Sequence, residues 1–254
     1  MDDLDFGRSF TPSADRPRPT LSDGMYLRSN FSSSSLVRLL SEATLVEVDV
    51  SRQDVAEKLS LWVDTFDALE LRAAQQSIKT LADAKPSDLQ PAKTDAVEAE
   101  FHRVRTAMVQ AITANDTSRN TPPPDAATET VADYAPYRQR YIEQQRHMES
   151  KIGPLRAHVR QALSRASPKL RQLAYLDAVM DQMILGGREQ KLLTTVPVLL
   201  ERRFEHLRKT HSQAGWLDVF RKELQEVLLA EMNVRLQPVV GLMEAFSNEV
   251  KKSQ

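Results

Sequence analysis

Histidine and glutamate are the side chains here that could bind a metal or transfer protons, and their spacing matches no catalytic motif. Four of the five histidines lie in residues 134–211: His147, His158, His206 and His211. Carboxylate-bridged di-metal bundles need Glu-x-x-His motifs, and the sequence has none. Glu143 and His147 are instead four residues apart, and Glu201 and Glu205 lie among arginines. We interpret these groups as solvated ion pairs on helices and predict no metal site.

Other catalytic and cofactor-binding motifs are missing from the sequence as well. The chain has no cysteine, which excludes disulfides, cysteine ligands to zinc and cysteine nucleophiles. Its seven glycines are scattered and form no GxGxxG, GxxxxGK[ST] or GxSxG motif. A Ser-His-Asp triad cannot be assigned, because its members need not be neighbours in the chain. We therefore predict a protein that is not an enzyme and that needs no cofactor.

The strongest electrostatic feature is a basic tract at residues 150–176, which contains six cations and no Asp or Glu. Forked guanidinium groups suit carboxylates and phosphates, but the tract has no clustered aromatics for base stacking. Three alternatives stay open: a solvated surface that partly neutralises the acidic N-terminal half, a protein partner, or a nucleic acid or lipid headgroup. The candidate residues for an anionic partner are Lys151, Arg156, Arg160, Arg165, Lys169, Arg171, Arg202 and Arg203.

Three tyrosines share one face of a predicted helix, since Tyr134, Tyr137 and Tyr141 are three and four residues apart. Tyrosine suits a half-buried surface, and Tyr and Arg are enriched at binding hot spots. With Arg138 beside them, these tyrosines are our candidate protein interface. The alternative is that they form the edge of the core.

The elements that carry these residues differ in charge, although the formal net charge is only −1. Residues 1–133 sum to −8, residues 134–211 to +8 and residues 212–254 to −1. The sign changes at a segment with three consecutive prolines, which is typical of a linker. We predict a disordered tail (1–32), an acidic helical hairpin (33–114), a proline-rich linker (115–133) and a C-terminal helical domain (134–254).

Hydrophobic periodicity predicts an all-α fold, with an antiparallel hairpin followed by a helical bundle or an elongated array. Two heptad-like stripes predict the hairpin: Val55, Leu59, Trp62, Phe66, Leu69 and Ala73, then Val97, Phe101, Val104, Met108 and Ala111. The alternating segment 45–50 predicts an extended connector.

Prolines and glycines predict where the later helices begin and end. Pro136, Pro168 and Pro238 are predicted in the first turns of helices, with Ser167 as a cap. Pro197 predicts a kink or a new start. Gly153-Pro154 predicts an end or a kink, and Gly186-Gly187 predicts an end.

The predicted location is the cytoplasm, without membrane insertion. The first residues, MDDLDFGRSF, carry acids where a signal peptide needs cations. No stretch approaches the ~18–20 apolar residues that span a bilayer.

One resemblance adds to these patterns. The run YRQRYIEQQRHMESKIGPLRAHVRQALSRASPKLRQLAYLDAVMDQM (137–183), with TTVPVLLERRFEHLR (194–208), resembles an uncharacterised proteobacterial family of helical proteins, a domain of unknown function. The resemblance covers most of the chain and carries no catalytic motif. Genes of that family lie beside those for envelope proteins similar to TolQ or MotA channel subunits and to OmpA. This implies an accessory component of an envelope machine.

The function predicted first is therefore a non-enzymatic helical adaptor or scaffold that binds other proteins or itself. The second hypothesis is a helical protein that binds nucleic acid or another anionic surface through residues 150–176. A third, an enzyme with an unrecognised helical site, requires a pocket of a few hundred Å³, roughly the size of small-molecule sites.

Overall fold

Helices form almost all of the chain that the computed structural model describes, which is residues 35–44, 65–82, 94–117, 133–182, 187, 191, 193–210 and 215–252. Within these ranges the helices are α1 (Ser35–Thr44), α2 (Thr65–Ala82), α3 (Thr94–Thr117), α4 (Ala135–Ala166), α5 (Pro168–Met180), α6 (Val196–Thr210) and α7 (Trp216–Lys252). No strand occurs among the same residues. The all-α prediction is confirmed.

The long helix α7 is the centre of the packing. It contacts α1, α3, α4, α5 and α6, and α4 contacts α3, α5 and α6 as well. Apolar residues three or four positions apart, such as Phe220, Leu224 and Leu228, are buried along α7, as expected for a helix with neighbours on several sides. The core cluster draws on α1 and on α3 to α7, whereas α2 packs at the periphery against α5.

An aromatic cluster joins the beginnings of α4 and α7 to the middle of α6. Phe204 lies at its centre, with ring centroids 5.0 Å from Trp216 and 5.1 Å from Phe220, both edge-on. Tyr137 meets Phe220 at 5.3 Å in the same T-shaped geometry. Edge-to-face pairs at these distances are favourable beyond the area they bury, so the cluster fixes how the three helix segments meet.

Local signals correctly predicted several helix starts. Ser167 caps α5, because its Oγ accepts a hydrogen bond from the amide of Leu170 at 3.2 Å, and Pro168 follows in the first turn. Pro136 lies in the first turn of α4, and Pro197 lies at the start of α6, which makes it a new start rather than a kink. Gly215 precedes α7 with a φ of 108°, a conformation that favours glycine.

The prediction that Pro238 begins a helix is wrong, because α7 continues through it from Trp216 to Lys252. Pro154 likewise lies inside α4, so Gly153-Pro154 does not end that helix. A proline inside a helix costs about 3 kcal/mol. Apolar side chains on both sides of Pro238, Leu236 and Val239, are buried, and this packing offsets the cost. Helix α5 ends at Met180, and Gly186 is outside the described residues.

The described part of the predicted hairpin packs on the C-terminal helices. Helix α2 packs on α5, and α3 packs on α4 and α7. On α2 the stripe residue Leu69 is 59% exposed while Ala74, off the stripe, is buried. On α3 the stripe is buried at Val97, Phe101 and Met108. Heptad spacing identifies an apolar face of a helix but not the helix that covers it, and residues 51–64 of the predicted first helix lie outside the described residues.

Some predictions fall on residues that the structure does not describe. These are the tail at 1–32, the connector at 45–50, the stripe residues before α2 and most of the linker at 115–133. The domain boundaries therefore stay predictions.

Replacing Ser167 by alanine should lower the free energy of unfolding by about 1 kcal/mol, because the amide of Leu170 loses its acceptor. Urea denaturation followed by circular dichroism measures the change. Ser150→Ala is the matched control: the exposed Ser150 hydroxyl donates to the carbonyl of His147 within α4, and we expect a change within ~0.5 kcal/mol. Equal losses in the two variants would contradict a specific capping role.

Candidate binding groove

Two arginines of the basic tract are already paired inside the fold. Arg156 and Arg160, one turn apart on α4, both bind the carboxylates of Asp177 and Asp181, with shortest nitrogen–oxygen distances of 2.6 Å. Burial lowers the pKa of Arg160, but the hydrogen bonds to Asp181 and Asp177 outweigh it and raise the pKa above its usual value. These acids lie just after the acid-free segment 150–176, so two of the six cations of the tract are neutralised by Asp177 of the neighbouring helix α5 and by Asp181, which follows that helix.

The other candidates for an anionic partner do not come together. Arg203 of α6 pairs with Glu223 of α7 at 2.6 Å, and Nε of Arg171 donates to the carbonyl of Ser164 at 3.1 Å. The remaining cations are spread over α4, α5 and α6, without a charged partner in the described ranges: Lys151, Arg165, Lys169 and Arg202.

The predicted tyrosine interface is corrected by the burial of two of its members. Tyr134 and Tyr141 are core residues, and Tyr137 is half-buried. The hydroxyl of Tyr134 donates to the carbonyl of Pro197 at 2.6 Å, and that of Tyr141 donates to the carboxylate of Glu231. Because both hydroxyls have internal acceptors, both rings can be buried. The core alternative therefore applies to these two residues.

Burial also sets the ionisation of both core tyrosines. Desolvation is the main cause that raises the pKa of Tyr134, and the charge of Glu201 adds to it. The pKa of Tyr141 is raised by desolvation and then by the charge of Glu231. Both phenols therefore stay neutral hydrogen-bond donors across the physiological pH range.

A buried carboxylate, Glu231, connects α7 to α4. It is fully buried and accepts hydrogen bonds from Tyr141, from Nε2 of Gln145 at 3.0 Å and from Nε of Arg235 at 2.9 Å. Arg235 also reaches Glu149 at 3.5 Å. A buried charge is tolerated only when it is paired and hydrogen-bonded in this way. Glu231 was not among the residues predicted from the sequence, although its spacing of four residues from Arg235 on one helix is a signal of an ion pair.

Beside this network, α4, the start of α6 and the residues before it form an open groove of about 340 Å³. We call it the arginine groove. Its lining combines apolar and charged side chains: Arg138, Ile142, Gln145, Arg146, Glu149, Leu193, Thr194, Pro197, Val198 and Arg235. The two core tyrosines fix parts of its lining. The hydroxyl of Tyr134 donates to the carbonyl of Pro197, and the hydroxyl of Tyr141 donates to Glu231, which also accepts from Gln145.

Two of the three arginines in the groove are available to a ligand. Arg235 is engaged by Glu231 and Glu149. Arg138 and Arg146 are exposed, and neither has a side-chain hydrogen bond or ion pair with another described residue. Arg138 was a sequence candidate for the protein interface, and the structure places it here. Arg146 and Val198, which is 49% exposed, were missed because only the folded chain brings α6 beside α4.

The described ranges contain neither a metal-binding cluster nor a membrane-spanning helix. No group of three or more His, Asp or Glu is arranged there to hold a metal ion. Nor does any helix among those residues combine the length and apolarity needed to cross a membrane.

Comparison with known proteins assigns the chain to a family. The family described as "Protein of unknown function (DUF3348)" matches residues 25–248, and the chain belongs to it. The predicted membership in a domain-of-unknown-function family is confirmed. No curated protein and no solved structure matches the chain significantly.

Removing the buried carboxylate should be far more damaging than removing an exposed one. We expect Glu231→Ala to lower the free energy of unfolding by about 3–5 kcal/mol, because Arg235 would lose its buried ion-pair partner and Tyr141 and Gln145 would lose their acceptor. Glu226→Ala, which removes an exposed partner 4.0 Å from Lys222, should change it by less than about 1 kcal/mol. Chemical denaturation of both variants measures the difference. Similar values would mean that the network does not hold α7 on α4.

Proposed function

We propose that this member of the DUF3348 family is a non-enzymatic helical adaptor that acts in the cytoplasm and binds another protein in the arginine groove. The observation that carries the proposal is the juxtaposition of two exposed arginines, Arg138 and Arg146, with the half-exposed Val198 in one concave surface. Binding hot spots are enriched in arginine and lie next to apolar contacts that exclude water. A surface of this kind suits a segment of a partner protein.

The chemistry of the groove favours binding over catalysis. Its volume would allow a small-molecule pocket, but its lining contains no activated nucleophile. The hydroxyl of Thr194 donates to the carbonyl of Lys191, and the adjacent acid Glu231 already accepts from three donors. An acid whose oxygens are all engaged is poorly placed to take a proton from a substrate.

The alternative, a protein that binds nucleic acid or another anionic surface through residues 150–176, has less support. Arg156, Arg160 and Arg203 are held by aspartates or by glutamate, and they would have to leave these partners to bind phosphates. Binding along a polyanion depends on many simultaneous phosphate contacts. The cations that keep no charged partner among the described residues, Lys151, Arg165, Lys169 and Arg202, belong to three different helices.

A cytoplasmic role agrees with the absence of cysteine, which is compatible with a reducing compartment. The resemblance noted above implies envelope proteins as genetic neighbours, which makes a cytoplasmic face of an envelope machine the first place to look for the partner. The TolQ- or MotA-like subunits are therefore the first candidates to test.

A photo-crosslinking amino acid at Val198 should trap the partner in the cells that make the protein. The matched control is the same amino acid at Val219, which is exposed to a similar extent on α7, outside the groove lining. We expect one dominant protein adduct from position 198, none from position 219, and a several-fold weaker adduct when Arg138 and Arg146 are both changed to Glu.

Two results would contradict the proposal: no protein adduct at position 198, or adducts of equal yield at both positions. Circular dichroism of each purified variant shows whether it is folded, so that a lost adduct can be assigned to the groove.

A further inference from the structure

We infer that the arginine groove recognises an extended acidic segment of the partner, with an acidic residue, an apolar residue two positions later and a second acidic residue two positions after that. This inference rests on the proposed function and specifies the chemistry of the ligand. It is carried by the order and spacing of three side chains on α4, by the size of the groove and by the position of one glutamate.

The first argument is the register of α4. Arg138, Ile142 and Arg146 all line the groove and are four residues apart. At 1.5 Å per residue, successive members are about 6 Å apart along the helix axis, and the two arginines are about 12 Å apart. Alternate side chains of an extended chain lie on one face about 6.6 Å apart. Residues i, i+2 and i+4 of an extended segment therefore match the three positions on α4.

The second argument is the size of the groove along α4. Its lining on this helix runs from Arg138 to Glu149, which is about 16 Å at 1.5 Å per residue. An extended segment of five residues reaches both arginines within this length, because its first and fifth residues are about 13 Å apart. A helix needs about nine residues to do the same, and isolated helices shorter than about 12 residues are marginal in water. The shortest segment that can bind both arginines is therefore an extended one.

The third argument is the distribution of apolar surface. Ile142 lies between the two arginines on α4, and Val198 and Pro197 of α6 line the groove with it. Val198 is 49% exposed, so its side chain would lose contact with water when a ligand covers it. The central position of the ligand should therefore be a large apolar residue, since burying apolar surface is the main favourable term there.

The fourth argument is the position of Glu149, which favours a peptide with two carboxylates over a continuous polyanion as the ligand. Glu149 lines the groove one turn beyond Arg146, and it contacts Arg235 at 3.5 Å. A ligand with a negative charge at every unit would bring one against Glu149, and like charges at an interface are strongly unfavourable. Two carboxylates at a fixed spacing can bind Arg138 and Arg146 and avoid that repulsion.

The test is fluorescence anisotropy of labelled peptides with the full-length protein at about 50 mM salt, where ionic contacts are only partly screened. The probe is Gly-Ser-Glu-Ser-Leu-Ser-Glu-Ser-Gly. A permuted peptide of the same composition, Gly-Glu-Glu-Ser-Ser-Ser-Ser-Leu-Gly, controls for charge and apolarity alone. A third, helix-forming peptide carries two glutamates eight residues apart with leucine midway. We expect the probe to bind at least tenfold more tightly than either control.

Variants of the groove assign the binding to its arginines. Arg138→Gln and Arg146→Gln should each weaken binding of the probe by about tenfold, as expected for the loss of a charge-assisted hydrogen bond. Arg202→Gln is the matched control, because Arg202 is exposed on α6 and does not line the groove, and it should leave the affinity unchanged.

The inference is overturned if the probe does not bind at 1 mM, if the permuted or helical peptide binds as well, or if neither groove variant weakens binding. Binding of poly-uridylic acid in the groove without binding of the probe would overturn it too. If Val198 crosslinks to a protein and the probe fails these tests, the adaptor proposal stands and the extended acidic motif is wrong. If no protein crosslinks at Val198, the adaptor proposal itself fails.

Discussion

The buried carboxylate of Glu231 is the constraint on which the arrangement of the central helices depends. A carboxylate without access to water needs hydrogen-bond donors from its surroundings, and three side chains supply them: Tyr141, Gln145 and Arg235. Two of these donors belong to α4 and one to α7. The hydrophobic effect is non-directional, whereas this set of hydrogen bonds is satisfied at a single register. The position of the arginine groove, which Gln145 and Arg235 help to line, follows from that register.

Several of the buried or half-buried arginines in this fold are balanced by acids in direct contact. One alternative from the sequence was that the acidic N-terminal half partly neutralises the basic segment, but Arg156 and Arg160 form their ion pairs with Asp177 and Asp181. An ion pair contributes most when the charges are in contact and partly buried. The sum of charges over a long segment does not determine which charges touch. Such sums therefore indicated a basic surface, whereas in the fold Arg156 and Arg160 form ion pairs with Asp177 and Asp181.

The features that the sequence predicted correctly are those decided within a few residues. The capping of α5 by Ser167 and the start of α6 at Pro197 depend on local backbone geometry. Pro238 was wrongly predicted to begin a helix. The free-energy cost of a proline inside a helix competes there with the burial of Leu236 and Val239, and that burial is visible only in the folded chain. The groove could not be predicted for the same reason: it needs α6 beside α4, and no local pattern specifies that neighbour.

The tyrosine pattern lies next to the groove, although two of its three rings belong to the core. Tyrosines that anchor the core, Tyr134 just before α4 and Tyr141 within it, alternate with groove residues such as Arg138. One helix therefore supplies both the support and part of the lining of the groove. Because Arg138 and Arg146 start from a backbone already fixed by Tyr134 and Tyr141, a ligand would spend less of its binding energy on ordering the protein. A groove built on such a helix can bind a short segment with only a few contacts.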